Sequence, residues 1–168
     1  IDKLNGDRPD LYGGGIWDHP QLGAYYNAPG GRRGTAFASR RRLAEQVARE
    51  VKSPSPTFNC VGPAGVGTGS LAGMRALHQL SSFAHIWPFD NPDTVSRPLH
   101  LVEIFPSYYF ALAGIKPVNG AHGERENINK ALACFGSDPV SADFKANGPD
   151  HDEADALISA AALRWFSA

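Results

Sequence analysis

The sequence predicts a loop-rich α/β protein, and three features support that prediction. The short apolar segment Leu99–Phe105 contains β-branched residues and is bounded by Pro98 and Pro106, which is typical of a strand. The last segment, Asp150–Phe166, has apolar residues at helical spacing and predicts an amphipathic helix. Glycine and proline, 18 and 13 of 168 residues, are frequent enough to predict many loops between these elements.

The first third of the chain is predicted to be mostly irregular. Residues 1–36 are interrupted by glycine and proline, so only a short helix near Pro20–Asn27 is predicted there. Ser39–Lys52 is predicted to be a helix that ends at the prolines after Ser53. Its predicted apolar face consists of Leu43, Val47 and Val51.

The remainder of the chain alternates between short strand patterns and helix patterns, which favours an α/β architecture. The predicted strands are Thr57–Val61, Ala84–Phe89 and Leu99–Phe105. The predicted helices are Ser70–Leu80, Ser107–Ala113, Arg125–Phe135, a short one at Pro139–Lys145, and Asp150–Phe166.

Composition and charge exclude several classes of protein. Apolar residues make up 42% and charged residues 20%, as in folded globular proteins. No stretch of about 18 apolar residues is present, so no membrane span is predicted. Sixteen basic and 17 acidic residues give a net charge of -1, which argues against a dedicated cationic nucleic-acid binder. Two cysteines and no recognisable signal peptide predict a reducing, cytoplasmic setting.

The charges are nevertheless segregated along the chain. Seven basic and two acidic residues lie between Gly30 and Lys52, whereas six acidic and one basic residue lie between Asp138 and Asp155. A basic segment of this kind could hold a polyanion and an acidic segment could hold a divalent cation. The same pattern also fits a solvated helix face and acids at a helix start, so both interpretations stay open.

The glycine-rich segment Gly62–Gly69 follows a strand pattern and precedes a helix pattern, as phosphate-binding loops do. A P-loop requires a lysine after its last loop glycine, but Thr68 follows Gly67 here. The glycine spacing also fails the dinucleotide-binding pattern. We therefore predict a tight structural turn that allows close helix–strand packing.

Three carboxylates are candidate metal ligands. Glu103 lies within the predicted apolar strand, where an ionised carboxylate is costly unless it is paired or binds a cation. It could instead face solvent, although Leu101 and Phe105 would share its face of the strand. Asp152 and Asp155 are three residues apart and share one face of the last predicted helix. Hard oxygen ligands of this kind select Mg²⁺ or Mn²⁺, and their mutual repulsion predicts at least one raised pKa. Asp150 and Glu153 have a simpler explanation as helix-capping residues.

The order of motifs resembles a known family. An apolar strand ending in Glu-aromatic-Pro (LVEIFP, 101–106) is followed by Lys116, glycines and Arg125, and then by D-x-x-D-A-L at a helix start (152–157). This order resembles the predicted nucleases of the ribonuclease H-like superfamily, the nearest group being domain of unknown function 429. The resemblance covers roughly residues 55–166, and the last helix is also similar to that of RuvC-type resolvases.

The resemblance implies a ribonuclease H-like mixed sheet with flanking helices in a single domain, 1–168. Residues 1–54 would form an irregular and basic segment, and 55–168 the core. Glu103 and Asp155 match the family's metal ligands, Asp152 is their expected partner, and we expect the Glu103 and Asp155 carboxylates within about 8 Å. The family's first strand carries a catalytic Asp, and no such strand is recognisable, so the N-terminal strands are expected to be missing from this chain.

The leading hypothesis is a metal-dependent nuclease that hydrolyses phosphodiester bonds by a two-metal mechanism with Mg²⁺ or Mn²⁺. The expected phosphate or nucleic-acid contacts are Lys116, Arg125, Arg40, Arg41 and Arg42. Among the histidines, only His151 is a candidate for proton transfer.

Two other functions remain open. One is a non-catalytic ribonuclease H-like module that binds a partner or a nucleotide through the aromatic residues Tyr12, Trp17, Tyr25 and Tyr26. The other is a small-molecule phosphate enzyme that uses the glycine-rich loop. The sequence does not predict an oligomeric state.

Overall fold

A computed structural model describes residues 2–62, 65–91, 96–116, 121–147 and 151–167. Within these ranges the protein is mixed α/β, as predicted, with seven α-helices and two sheets of two strands each. The helices are α1 Asp2–Asn5, α2 Gly15–Asp18, α3 Leu43–Ala48, α4 Gly67–Leu80, α5 Pro106–Leu112, α6 Arg125–Cys134 and α7 Asp152–Phe166. The strands are β1 Asn27–Ala28, β2 Arg32–Arg33, β3 Ala84–Ile86 and β4 Leu99–Leu101.

The chain divides into two compact units. Unit 1 consists of residues 1–47 and 54–103, and unit 2 consists of residues 48–53 and 104–168. In unit 1, β1 pairs with β2 in antiparallel fashion and β3 pairs with β4 in parallel. None of the helices in the described ranges combines the length and the apolar character that a membrane crossing requires.

The β3–β4 ladder is shorter than the sequence predicts. The last bond of the ladder is donated by the Trp87 N–H to the Leu101 carbonyl, at 3.0 Å. Pro88 has no N–H, and Phe89 donates its own N–H back to the Ile86 carbonyl in a turn. The prediction that Glu103 lies inside a strand is therefore wrong, because β4 ends two residues earlier.

Asp90 fixes the turn that ends β3. Its Oδ2 accepts hydrogen bonds from the Ile86 N–H at 2.9 Å and from Arg97 Nη1 at 2.8 Å. The bond from Ile86, together with the Arg97 guanidinium, lowers the pKa of Asp90. Arg97 also donates to the Ala84 carbonyl, so one ion pair connects both ends of β3.

The predicted strand Thr57–Val61 is only a single parallel bridge between Asn27 and Asn59. The predicted helix Ser39–Lys52 shortens to α3, and its predicted apolar face is exposed to solvent: Leu43 is 77% exposed. The buried residue of α3 is instead Glu45. The carboxylate of Glu45 accepts bonds from the Arg42 N–H and Nε at 3.0 and 2.8 Å, so the residue that precedes α3 supplies the polar partners that a buried carboxylate needs.

Helix α4 begins at Gly67, three residues before the predicted start. A Cβ at Gly67 would lie 2.5 Å from the Thr57 carbonyl oxygen and 2.6 Å from Cys60 Sγ, so only glycine fits there. The Gly67 N–H donates to the Asn59 carbonyl at 2.8 Å. The predicted tight turn is thus confirmed for the residues described, and Pro63 and Ala64 lie outside them.

Unit 2 is built around α5, α6 and α7. Phe110, Ile128 and Ile158, one from each helix, are fully buried and belong to one hydrophobic cluster. Helix α7 follows the predicted pattern, because Ala154, Ile158 and Ala161 face this cluster. The predicted capping residue Asp150 lies outside the described residues.

Candidate carboxylate and histidine site

The start of α7 places two carboxylates one helical turn apart. Asp152 is exposed, whereas Asp155 is half-buried. Ala154, which lies between them in the sequence, is fully buried. Its burial shows which face of α7 packs against the core. Asp155 therefore lies at the border between the core of unit 2 and solvent.

Two imidazoles accompany these carboxylates. His122 lies in a short 3-10 turn, Ala121–Gly123, and His151 directly precedes α7. Their rings meet edge to face with centroids 5.2 Å apart, and the buried Phe110 ring lies 5.8 Å from that of His122. This stack, with Asp155 nearby, brings a carboxylate and two histidines together within unit 2.

Gly123 sets the position of His151. A Cβ on Gly123 would lie 2.2 Å from His151 Nδ1 and 2.4 Å from its Cγ. No side chain fits between the turn and the ring, so the Nδ1 edge of the imidazole lies against the backbone of residue 123. His151 itself has a φ of 66°, a left-handed conformation that is uncommon for a residue other than glycine.

The pKa of Asp155 is raised above its ordinary value. Burial is the main cause, the neighbouring His122 opposes it, and repulsion by Asp152 adds to it. His151 opposes the increase as well. The direction agrees with the prediction, but burial rather than repulsion between carboxylates is the main cause.

This raised pKa has a measurable consequence for stability. The charged form of Asp155 is disfavoured in the folded protein, so the fold loses stability as the pH rises from the ordinary value of 3.8 through the folded-state pKa. In a chelating buffer, we expect the Asp155→Asn chain to melt higher than the wild type at neutral pH. The exposed part of the carboxylate limits the increase in Tm to about 3 °C.

The difference in Tm between Asp155→Asn and the wild type is expected to vanish below about pH 3.8, where the carboxyl is neutral in both states. The control is Asp143→Asn, because a hydrogen bond from Ser141 lowers the pKa of the exposed Asp143. That variant is expected to lose stability at neutral pH. A lower Tm for Asp155→Asn at neutral pH would contradict the prediction.

Glu103, the third predicted ligand, is engaged by an arginine. Arg42 Nη2 and Nη1 donate to the two carboxylate oxygens at 2.8 and 3.1 Å, and the Glu103 side chain is 67% exposed. The Arg42 guanidinium therefore pairs with this carboxylate, which is one of the two forms of compensation that the sequence predicts. Glu103 belongs to unit 1 and Asp155 to unit 2, so their closeness stays a prediction.

The predicted phosphate contacts are distributed over both units. In unit 1, Arg40 stacks over the Tyr25 ring at 5.1 Å, Arg41 donates to the Pro54 carbonyl, and Arg42 binds Glu45 and Glu103. In unit 2, Lys116 and Arg125 are exposed, Arg125 at the first position of α6.

No group of three or more His, Cys, Asp and Glu side chains within the described ranges is arranged as a preformed metal site. His122 is the functional candidate that sequence reasoning missed, because its place beside His151 depends on how the 3-10 turn packs against α7. Comparisons with known proteins do not assign a family, since no family model, curated protein or solved structure matches this chain.

Proposed function

We propose that this protein is a metal-dependent nuclease with a ribonuclease H-like fold that acts in the cytoplasm. The observation that carries the proposal is the half-buried Asp155 carboxylate, one turn from Asp152 and accompanied by His122 and His151. Carboxylates and an imidazole on rigid elements can bind a hard cation and move a proton. Cys60 and Cys134 are free thiols, which agrees with a reducing compartment.

The acids at the start of α7 fit a divalent cation. Asp152 and Asp155 offer the oxygen ligands that Mg²⁺ and Mn²⁺ prefer, and both lie on one face of a regular helix. When bound, such a cation supplies an activated water and offsets charge on a phosphodiester. The half-burial of Asp155 favours this use, because a buried carboxylate gains more from a bound cation than an exposed one does.

The histidines give the site its own proton-transfer group. His151 Nδ1 lies against Gly123, which leaves Nε2 as the ring nitrogen that can accept and return a proton. His122 holds the ring of His151 by edge-to-face contact and is itself backed by Phe110. In this proposal His151 is the proton carrier and His122 is a positioning residue.

Metal binding tests the proposal directly. We expect millimolar Mn²⁺ to raise the Tm of the full natural protein by roughly 5 °C or more at saturation, because a cation that binds only the folded state stabilises it by mass action. Asp155→Asn is expected to lose this response. Asp138→Asn, an exposed acid in the same unit, is expected to keep it.

The second readout is Mn²⁺-dependent cleavage of single-stranded RNA and of plasmid DNA. We expect cleavage by the wild type and by Asp138→Asn, and none above background by Asp155→Asn. Glu103→Gln tests the contribution of Glu103 separately. A wild-type protein without a Mn²⁺ response, or an Asp155→Asn variant that keeps it in full, would show that the acids on α7 only stabilise the helix start.

A further inference from the structure

Unit 1 contains a cleft that the proposed function does not use. Its volume is about 600 Å³, within the range of small-molecule sites. One wall is the segment 8–13, and the other residues that line it come from α2, the turn before β2, β2 and α4. The lining includes Arg8, Asp10, Leu11, Tyr12, Trp17 and Arg32.

The cleft combines aromatic rings with cations. Tyr12 and Trp17 meet edge to face with ring centroids 6.2 Å apart, and the Arg8 guanidinium lies 4.9 Å from the centre of the Tyr12 ring. Arg32 also lines the cleft and forms an exposed ion pair with Asp18. An exposed pair of this kind is weak, so Arg32 can also bind an anion with its other donors.

The wall also has an unusual backbone conformation at two neighbouring positions. Asp10 and Leu11, which are adjacent on the wall, both have left-handed backbone conformations, with φ of 59° and 53°. Such strain is concentrated at binding sites.

We propose that this cleft binds a nucleotide. The base would stack on the face of one of the two rings, Tyr12 or Trp17, and meet the other ring at its edge, and the phosphate would lie against Arg8 and Arg32. Stacking on aromatic side chains tolerates any base, and guanidinium groups bind phosphate through paired hydrogen bonds. The carboxylate of Asp10 opposes the anion and lowers the affinity. A base next to a phosphate is present both in a free mononucleotide and in each nucleotide of a single strand, so both are possible ligands of the cleft.

The test is isothermal titration calorimetry of the full chain with adenosine monophosphate, in a chelating buffer so that the carboxylates of α7 play no part. We expect submillimolar binding and a Kd roughly tenfold weaker for Arg32→Gln. The matched control is Arg33→Gln, since Arg33 is the exposed neighbour that stacks on Phe37 and does not line the cleft. Circular dichroism melting shows whether each variant is folded.

One further variant and two further ligands extend the test. Asp10→Asn removes the opposing charge while keeping a residue that tolerates a positive φ, so its affinity is expected to rise about twofold. Ribose 5-phosphate, which has no base, is expected to bind roughly tenfold more weakly than the nucleotide. A six-nucleotide single strand is then tested as a competitor of adenosine monophosphate. If the strand competes at a lower concentration than the mononucleotide does, the natural ligand is a single strand. If it competes no better, the natural ligand is a free nucleotide.

The proposal is overturned if adenosine monophosphate does not bind, or if Arg33→Gln weakens binding as much as Arg32→Gln does. Equal binding of ribose 5-phosphate and the nucleotide would also overturn it, because the cleft would then be a general anion site. None of these results depends on Mn²⁺, so they are distinct from a failure of the proposed nuclease activity.

Discussion

Replacing Phe110 by alanine is expected to lower the free energy of unfolding of unit 2 by about 3–5 kcal/mol. Phe110 is fully buried and lies in the cluster that α5, α6 and α7 share. Its removal deletes apolar contact and leaves a cavity that the packed helices cannot fill completely. A loss of this size is a large part of the stability of an ordinary domain, and urea denaturation followed by circular dichroism measures it.

The control is Leu112→Ala, on the same helix but 38% exposed, which is expected to lose less than about 1 kcal/mol. Phe110→Leu keeps most of the volume and is expected to lose less than Phe110→Ala. Because Phe110 also contacts His122, the alanine variant is expected to weaken the Mn²⁺ response as well. Equal losses for Phe110→Ala and Leu112→Ala would show that Phe110 is not the centre of this core.

Replacing Arg75 by methionine is expected to destabilise unit 1 by roughly 2–4 kcal/mol. Arg75 is buried in α4, and its guanidinium donates to the carbonyls of Tyr12 at 2.8 Å, Arg8 at 3.2 Å and Gly6 at 3.4 Å. Methionine keeps part of the volume but leaves these carbonyl oxygens without their donor.

The Arg75→Met variant also tests how the cleft is built, since two of these carbonyls belong to residues that line it, Arg8 and Tyr12. We expect its affinity for adenosine monophosphate to fall together with its stability in urea. Arg49→Met, at an exposed arginine, is the control and is expected to change neither. Unchanged stability of Arg75→Met would mean that the segment 6–12 holds its conformation without the guanidinium.

Long periodic patterns were the part of the fold that could be predicted from sequence. Helix α7 ends where predicted but begins at Asp152, after the left-handed His151, and α6 ends one residue earlier than expected. Helix α3 was mispredicted because three apolar residues at a spacing of four also fit a surface segment, and the buried Glu45 is held there by Arg42. The ends of β3 and β4 depend on turn chemistry at Pro88 and Asp90 rather than on the strand residues themselves.

Only the part of the candidate site that lies on one helix could be predicted from the sequence. The pair Asp152 and Asp155 follows from the period of one helix. His122 has no such signal, because a turn distant in sequence brings it to His151. The cleft could not be predicted from the sequence either. The aromatic residues Tyr12 and Trp17 are recognisable in the sequence, but their proximity to Arg32 depends on the tertiary structure.

The contact between Gly123 and His151 also provides a marker for searching genomes. Any side chain at 123 would displace the imidazole, so a protein that uses the ring in this place must keep a glycine there. We therefore expect the two positions to vary together: chains that lose the histidine are free to acquire larger residues at 123, whereas chains that keep it are not. Such paired variation would separate relatives that retain the proposed proton carrier from relatives that have lost it, before any of them is purified.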